Sequence, residues 1–333
     1  MKALFVVALM MFVGSSAGMS QAITKPGDAS ALVVEAKIPL GAVTGRIDHL
    51  ALDVDHLRLF VAELGNDTVG VVSLTQRNVI HVIDGLKEPQ GVRYVPSVDA
   101  LYVANAGDGT VGIYEGPNYV LKDRLNLGDD ADNIRFDPRT NQIFVGYGNG
   151  GIAVIDVFTR RRVQDIALNG HPEGFQLTED SERIFVNVPT SRELAVIDRR
   201  AGKQVAKWDL RYHGNFPMAL DEQDQRVLVG FRSPPRLSAY SMRDGTSLAA
   251  VEVCGDTDDV FFDPKRARIY ASCGEGLLDV LEWQDGTFQR VARIPTSLGS
   301  RTALFSPERD RLFLAVRATP VEPAAVWIFR PSP

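Results

Sequence analysis

The chain repeats a short apolar pattern about every 42 residues, and this repeat constrains the fold more than any other feature. In each copy a polar, basic or small residue precedes a run rich in Val, Ile, Leu, Phe and Tyr, as at 58–62 and 142–146. The seven copies start at 58, 100, 142, 183, 226, 268 and 311, which are 42, 42, 41, 43, 42 and 43 residues apart. Four strands in about 42 residues is the size of one propeller blade.

The copy at 129–170 illustrates the unit. It contains four apolar runs, at 133–136, 143–147, 152–157 and 163–168, separated by turns rich in Asp, Pro, Asn and Gly. Short Val-, Ile- and Phe-rich runs between such turns are typical of β-strands. Each repeat is therefore predicted to be a four-stranded antiparallel meander.

The two ends of the chain are predicted to share one blade. The last repeat holds three strands, and the segment 32–40 matches the missing fourth strand, so an N-terminal strand would close the ring without an open sheet edge. The fold class is therefore an all-β, seven-bladed β-propeller. Its blades are predicted at 45–86, 87–128, 129–170, 171–212, 213–255, 256–299 and 300–331.

The first 22 residues have the features of an export signal. Lys2 precedes an apolar run over 3–13, and Ser20-Gln21-Ala22 resembles a signal-peptidase site. The mature protein is then a single domain over 23–333, periplasmic or secreted, without a transmembrane anchor. A formal net charge of −6, with no basic block, makes nucleic acid a poor partner.

Cys254 and Cys273 are the two cysteines of the chain. In an exported protein such a pair is more often a disulfide than a metal site, so a disulfide is predicted, with two buried free thiols as the alternative.

Several strand motifs resemble those of the YVTN family of bacterial β-propellers. The similarity rests on Tyr102-Val103-Ala104-Asn105, on 144–147 and on the third-strand runs 152–156 and 194–198. This resemblance covers essentially all of 32–331 and implies an exported propeller that binds or scaffolds. A more distant likeness to lactonase-type propellers brings no matching catalytic motif.

Aligned repeats place polar residues where each innermost strand enters the central channel. Four of these residues are carboxylates on one small ring. Like charges in a partly desolvated funnel repel one another, so such a ring is unusual on a surface that has no function. The two aligned positions hold Asp48, Gln90, Asp132, Glu173, Phe216, Asp258 and Arg301, followed by His49, Gly91, Asn133, Gly174, Pro217, Asp259 and Thr302. The candidate ligand site at this rim is Asp48, Gln90, Asp132, Asn133, Glu173, Asp258, Asp259 and Arg301.

Three interpretations of this rim remain open. Asp48, Asp132, Glu173 and Asp258 could hold a divalent cation, calcium or magnesium, and His49 would admit manganese or zinc. The rim could instead form a polar pocket for a cationic or hydroxylated small ligand. In the third interpretation, the polar residues serve turns and the channel is only wet.

The leading functional hypothesis is an exported binding or scaffold protein that holds an unidentified small ligand or protein partner at this rim. The alternative is a metal-dependent hydrolase or lactonase-like enzyme with His49 or His171 as general base. A purely structural scaffold is a third hypothesis. No G-x-S-x-G or P-loop motif is present, which favours binding over catalysis.

Overall fold

Seven four-stranded antiparallel sheets make up the part of the chain, residues 30–333, that this computed structural model describes. The predicted signal at 1–22 lies outside the described residues. Numbered in chain order, the strands are β1 Leu32–Pro39, β2 Leu50–Asp53, β3 Arg58–Glu63, β4 Thr68–Ser73, β5 Asn78–Ile83, β6 Pro89–Val95, β7 Ala100–Asn105, β8 Thr110–Glu115, β9 Val120–Asn126, β10 Ala131–Asp137, β11 Gln142–Tyr147, β12 Gly151–Asp156, β13 Arg161–Ala167, β14 Phe175–Leu177, β15 Arg183–Val188, β16 Glu193–Asp198, β17 Lys203–Asp209, β18 His213–Asp221, β19 Arg226–Ser233, β20 Pro235–Ser241, β21 Ser247–Glu252, β22 Thr257–Asp263, β23 Arg268–Cys273, β24 Leu277–Gln284, β25 Thr287–Pro295, β26 Ala303–Ser306, β27 Arg311–Val316 and β28 Ala325–Pro331. Short 3-10 turns lie at Leu64–Asn66, Pro96–Val98 and Pro189–Ser191.

The sheets are the seven predicted blades. Strands β2–β5, β6–β9, β10–β13, β14–β17, β18–β21 and β22–β25 form six of them, and β26–β28 join β1 in the seventh. In the first six blades the innermost strand comes first in sequence and the outermost comes last; in the seventh, β26 is innermost and β1 is outermost. The prediction of a seven-bladed propeller is confirmed.

The hydrophobic core lies between neighbouring blades rather than within any one of them. One cluster joins Tyr102 and Ile113 of the second blade to Ile143 and Val145 of the third. The middle strands supply most of this core: all six residues of β7 are buried, whereas six of the seven residues of β9 are exposed. This pattern explains why the second-strand run was the clearest repeat in the sequence.

The N-terminal strand closes the ring as predicted. β1 pairs antiparallel with β28, from Leu32 opposite Pro331 to Pro39 opposite Ala325. Ile38 is fully buried and packs in a cluster with Phe313 of the last blade. This one sheet therefore joins the first and last strands of the described residues and leaves no open edge between them.

Buried Asp–Arg pairs hold the opposite ends of several innermost strands. Asp137 ends β10, is buried, and lies 2.6 Å from Arg199 of the next blade. Asp53 ends β2 and lies 2.6 Å from Arg58. These carboxylates are paired and hydrogen-bonded, so they act as structural groups.

Cys254 and Cys273 lie at disulfide-bonding distance, with their Cα atoms 5.8 Å apart, which supports the predicted bridge. Both are buried, and they connect the loop before β22 to the end of β23. No helix within residues 30–333 is long and apolar enough to span a bilayer.

Removing the disulfide should lower the free energy of unfolding by about 3 kcal/mol, because the bridge closes a loop of 19 residues in the unfolded chain. Urea unfolding of the Cys254→Ala, Cys273→Ala variant measures this loss. Dithiothreitol should destabilise the wild type by a similar amount and leave the variant unchanged. Dithiothreitol can reduce the bridge once the chain is unfolded. A wild type with the same free energy of unfolding with and without dithiothreitol would therefore contradict this expectation.

Candidate functional site

The innermost strands begin with β-bulges, and these bulges aim two consecutive residues at the channel. The N–H of Asp48 donates to the carbonyl of Ala62 (2.7 Å), and the N–H of Ala62 donates to the carbonyl of His49 (3.0 Å). In the third blade the regular pairing jumps from Ala131 to Ile134. A bulge sets two residues against one and redirects their side chains. Alternating strand geometry alone would have turned one of each pair away.

The bulged residues line a cavity of about 60 Å³ at the channel entry. Seven of the eight predicted rim residues belong to its wall, together with His49: Asp48, Gln90, Asp132, Asn133, Glu173, Asp258 and Asp259. Arg301 lies behind the wall, where its Nε is 2.9 Å from Asp258 Oδ2. The wall carries five carboxyl groups and two guanidinium groups, those of Arg46 and Arg135.

Arginines pair with some of these acids. Asp258 lies between Arg301 and Arg232, and the Arg232 guanidinium also stacks 3.9 Å from the Phe216 ring centre. Arg46 Nη2 is 2.6 Å from Asp48 Oδ2, an ion pair without hydrogen-bond geometry. Sequence reasoning missed Arg46 and Arg232. Arg46 lies only two residues before Asp48 in the sequence. Arg232 reaches Asp258 from β19, a second strand that the alignment of the rim positions does not include.

Other acceptors in the wall have no donor among the described residues. Asp132 Oδ1 and Asn133 Oδ1 are buried without a hydrogen bond. His49 Nε2 is 3.9 Å from Asp132 Oδ1 and His171 Nε2 is 3.8 Å from Asp132 Oδ2, both beyond hydrogen-bond distance. Glu173 forms no ion pair within residues 30–333. A buried acceptor without a hydrogen bond costs free energy. These oxygens therefore favour a ligand that brings a hydrogen-bond donor into the cavity.

The acids of the cavity divide into two electrostatic groups. Burial and repulsion from Asp132 raise the pKa of Glu173 to about 7, and burial raises the pKa of Asp259 to about 7. Burial also raises the pKa of Asp48. For Asp132, burial is outweighed by the nearby histidines His171 and His49, and its pKa is lowered. Asp132 is therefore a negatively charged group of the cavity near neutral pH.

His171 is a cation at neutral pH. Its Nδ1–H donates to the carbonyl of Gly148 (2.6 Å). Burial opposes protonation, but Asp132 and this carbonyl outweigh it and raise the pKa to about 9. A protonated imidazole cannot accept a proton, so this environment suits charge pairing better than the general-base role considered from the sequence. The pKa of His49 is also raised, by Asp48, Asp259 and Asp132 against the opposing effect of burial.

The described residues contain no group of three or more His, Cys, Asp or Glu side chains arranged to hold a metal ion. The four-carboxylate set of Asp48, Asp132, Glu173 and Asp258 remains a prediction. Arg232 and Arg301 already neutralise Asp258, which weakens its attraction for a divalent cation.

Replacing Glu173 with Gln should increase the free energy of unfolding at pH 8 but not at pH 4.5. Its carboxyl has a pKa near 7 when folded against 4.5 ordinarily, so the folded state retains a proton that the unfolded chain releases. Stability therefore falls as pH rises through this interval, and the full cost is present above pH 7. One pKa unit corresponds to about 1.4 kcal/mol and coupled groups share the effect, so we expect a gain of about 1–3 kcal/mol.

Urea unfolding at both pH values measures this gain. Glu182→Gln, an exposed acid in the same blade, is the matched control and should change little. An equal change for Glu173→Gln at both pH values would show that its ionisation carries no cost.

No family model matches this chain, and no curated protein matches it by sequence. Membership of the YVTN family therefore remains a prediction. Among solved structures, the fold resembles a chain of "Kuenenia stuttgartiensis Hydrazine Synthase", with a TM-score of 0.71, 17% identity, and coverage of 83% of this chain and 94% of that one. It also resembles a chain in "Crystal Structure of Mitotic Checkpoint Complex", with a TM-score of 0.76, 14% identity, and coverage of 96% and 99%. At such identities the likeness establishes the propeller fold alone.

Proposed function

We propose that this chain is an exported binding protein whose channel-entry cavity holds the cationic head group of a small organic ligand. The observation that carries the proposal is the set of acceptor oxygens without donors, Asp132 Oδ1 and Asn133 Oδ1, beside the unpaired carboxyl of Glu173. An ammonium group has several N–H donors and a positive charge, which matches such a wall.

The size of the cavity limits the part of the ligand that enters it. A volume of about 60 Å³ compares with about 30 Å³ per water molecule, so it suits a methylammonium-sized group rather than a whole metabolite. The rest of the ligand would lie in the channel mouth. Export is supported by the signal-like segment at 1–22 and by the disulfide-distance cysteine pair.

Ligand-observed NMR at pH 8 tests the proposal with methylammonium, ethanolammonium and putrescine, and with methanol as a neutral probe of similar size. The ammonium ligands should bind and methanol should not. Asp132→Asn should weaken binding at least about tenfold, since hydrogen bonds to charged groups contribute about 1.5–3 kcal/mol. Asp209→Asn is the matched control, because that carboxylate is 88% exposed on β17.

The same protein should be measured after chelation and again with calcium or magnesium. Ammonium binding that survives chelation supports the proposal. Stoichiometric calcium or magnesium binding that is lost in Asp132→Asn, without any ammonium binding, would replace it with the metal-site hypothesis. If neither ammonium nor metal binds, the third interpretation is favoured, in which the polar residues serve turns and the channel contains only water.

A further inference from the structure

A second chamber lies deeper in the channel, three residues further along the innermost strands. Five of the seven innermost strands contribute a side chain to it from this position: Arg93, Arg135, Gln176, Phe261 and Leu304. The equivalent Ala51 and Ala219 lie in the cores between blades. The chamber adjoins the entry cavity, since both walls contain the same five residues: His49, Arg135, Gln176, Asp259 and Phe261. The chamber measures about 230 Å³.

The chamber wall is chemically divided. Three adjacent blades present hydrogen-bond donors, from Arg93, Arg135 and Gln176, whereas the facing blades present Phe261 and Leu304. The wall also contains the His49 imidazole, the Asp259 carboxyl and four further apolar residues: Leu50, Val92, Ile134 and Ala303. The chamber therefore has two guanidinium groups on one side, Phe261 and Leu304 on the facing side, and one carboxyl group in its wall.

Neither Arg93 nor Arg135 forms an ion pair within residues 30–333. The Asp259 carboxyl lies in the same wall and favours the charged form of Arg135, but the two are not within ion-pair distance. Arg46, Arg232 and Arg301, by contrast, each pair with an acid of the entry cavity. Arg93 Nε is buried without an acceptor. Arg135 Nη1 donates only to the carbonyl of Ile134 (2.9 Å), and its guanidinium lies 5.3 Å from the ring centre of Phe175.

A guanidinium stays charged at neutral pH in proteins. Burial lowers the pKa of Arg93, and Glu308 opposes this effect. Burial also lowers the pKa of Arg135 to about 10; Asp259 opposes this effect and Arg93 adds to it. Two neighbouring cations that repel each other in a partly desolvated space are stabilised by an anion placed between them.

We propose that this chamber binds the carboxylate of a small organic acid, with Arg93 and Arg135 holding the anionic end and the apolar side holding the rest of the molecule. The planar fork of a guanidinium matches a carboxylate. The apolar half distinguishes an organic acid from inorganic phosphate, which would leave Phe261 and Leu304 against a hydrated monoanionic or dianionic group. A volume of about 230 Å³ is large enough for a single aromatic or short aliphatic acid.

Ligand-observed NMR and calorimetry with benzoate, acetate and inorganic phosphate test this proposal. Benzoate should bind most tightly, and Arg93→Met and Arg135→Met should each weaken it at least about tenfold. Arg161→Met, the same change at an exposed residue of β13, is the matched control. Circular dichroism and thermal unfolding establish that each variant folds. Where a Met variant fails to fold, Arg93→Lys or Arg135→Lys keeps the charge, removes the fork and should still weaken benzoate.

Three results would overturn the proposal: no benzoate binding by the wild type, equal binding by the folded arginine variants, or phosphate binding as tightly as benzoate. Arg135 lines both chambers, so Arg93 and Asp132, each of which lines only one of them, distinguish the two outcomes. Asp132→Asn should retain benzoate binding, and Arg93→Met should retain ammonium binding.

Discussion

A chain that lacks residues 30–40 is expected to lose its cooperative unfolding transition, and a synthetic peptide of those residues is expected to restore it. The deletion removes the whole of β1, leaving β28 as an open edge. It also exposes the cluster in which Ile38 packs. Exposed edge strands with apolar faces pair with other chains, so the truncated protein should also self-associate.

Point variants in β1 measure how much the packing of its side chains contributes to stability when the strand itself is present. Ile38 is fully buried, so Ile38→Ala should cost about 2–5 kcal/mol of unfolding free energy. Val34 lies in the same strand but is 42% exposed, so Val34→Ala should cost within about 0.5 kcal/mol. Denaturant unfolding and size-exclusion chromatography measure these effects. A truncated chain that unfolds cooperatively as a monomer would contradict closure of the ring by β1.

The second large effect is expected in the protonation of His171 when Asp132 is replaced by Asn. Among the influences that raise the pKa of His171 to about 9, the Asp132 carboxylate is the largest. Because an opposite charge at this range shifts a pKa by about 1–3 units, the variant should show a decrease of at least about one unit. NMR titration of the imidazole resonances measures it.

The loss of the Asp132 charge should leave the fold intact. With His171 less protonated, its Nδ1–H bond to Gly148 persists, since a neutral imidazole with that tautomer still donates. The fold should therefore be retained while the titration changes. Asp209→Asn again serves as the control. An unchanged His171 titration in Asp132→Asn would contradict the central electrostatic role assigned to Asp132.

The sequence was sufficient to predict the blades because the repeat comes from buried middle strands. Runs such as Arg58–Glu63 and Ala100–Asn105 must be apolar in every blade, since each packs against its neighbours on both faces. The closure by 32–40 followed from counting strands. Such constraints act on every repeat, so a single sequence is enough to reveal them.

The site was predictable only in part because its contacts cross between blades. Alignment found Asp132 and Asp258 because both occupy the same position in a repeat. It could not find Arg232, whose side chain reaches Asp258 from a second strand, nor the bulges that aim both Asp132 and Asn133 inward. The Arg93 and Arg135 pair was visible in the same alignment, three positions further on. What the alignment could not provide was their burial and their lack of partners.

The most direct test of the proposed function is a crystal structure of the chain from Ile23 onward, grown at pH 8 and soaked in ethanolammonium. We expect the ammonium nitrogen within about 3 Å of Asp132 Oδ1 and Asn133 Oδ1. We also expect the Glu173 carboxylate to face the same nitrogen. Density for a divalent ion coordinated by Asp48, Asp132, Glu173 and Asp258, or for water alone at a concentration that saturates binding in solution, would contradict it.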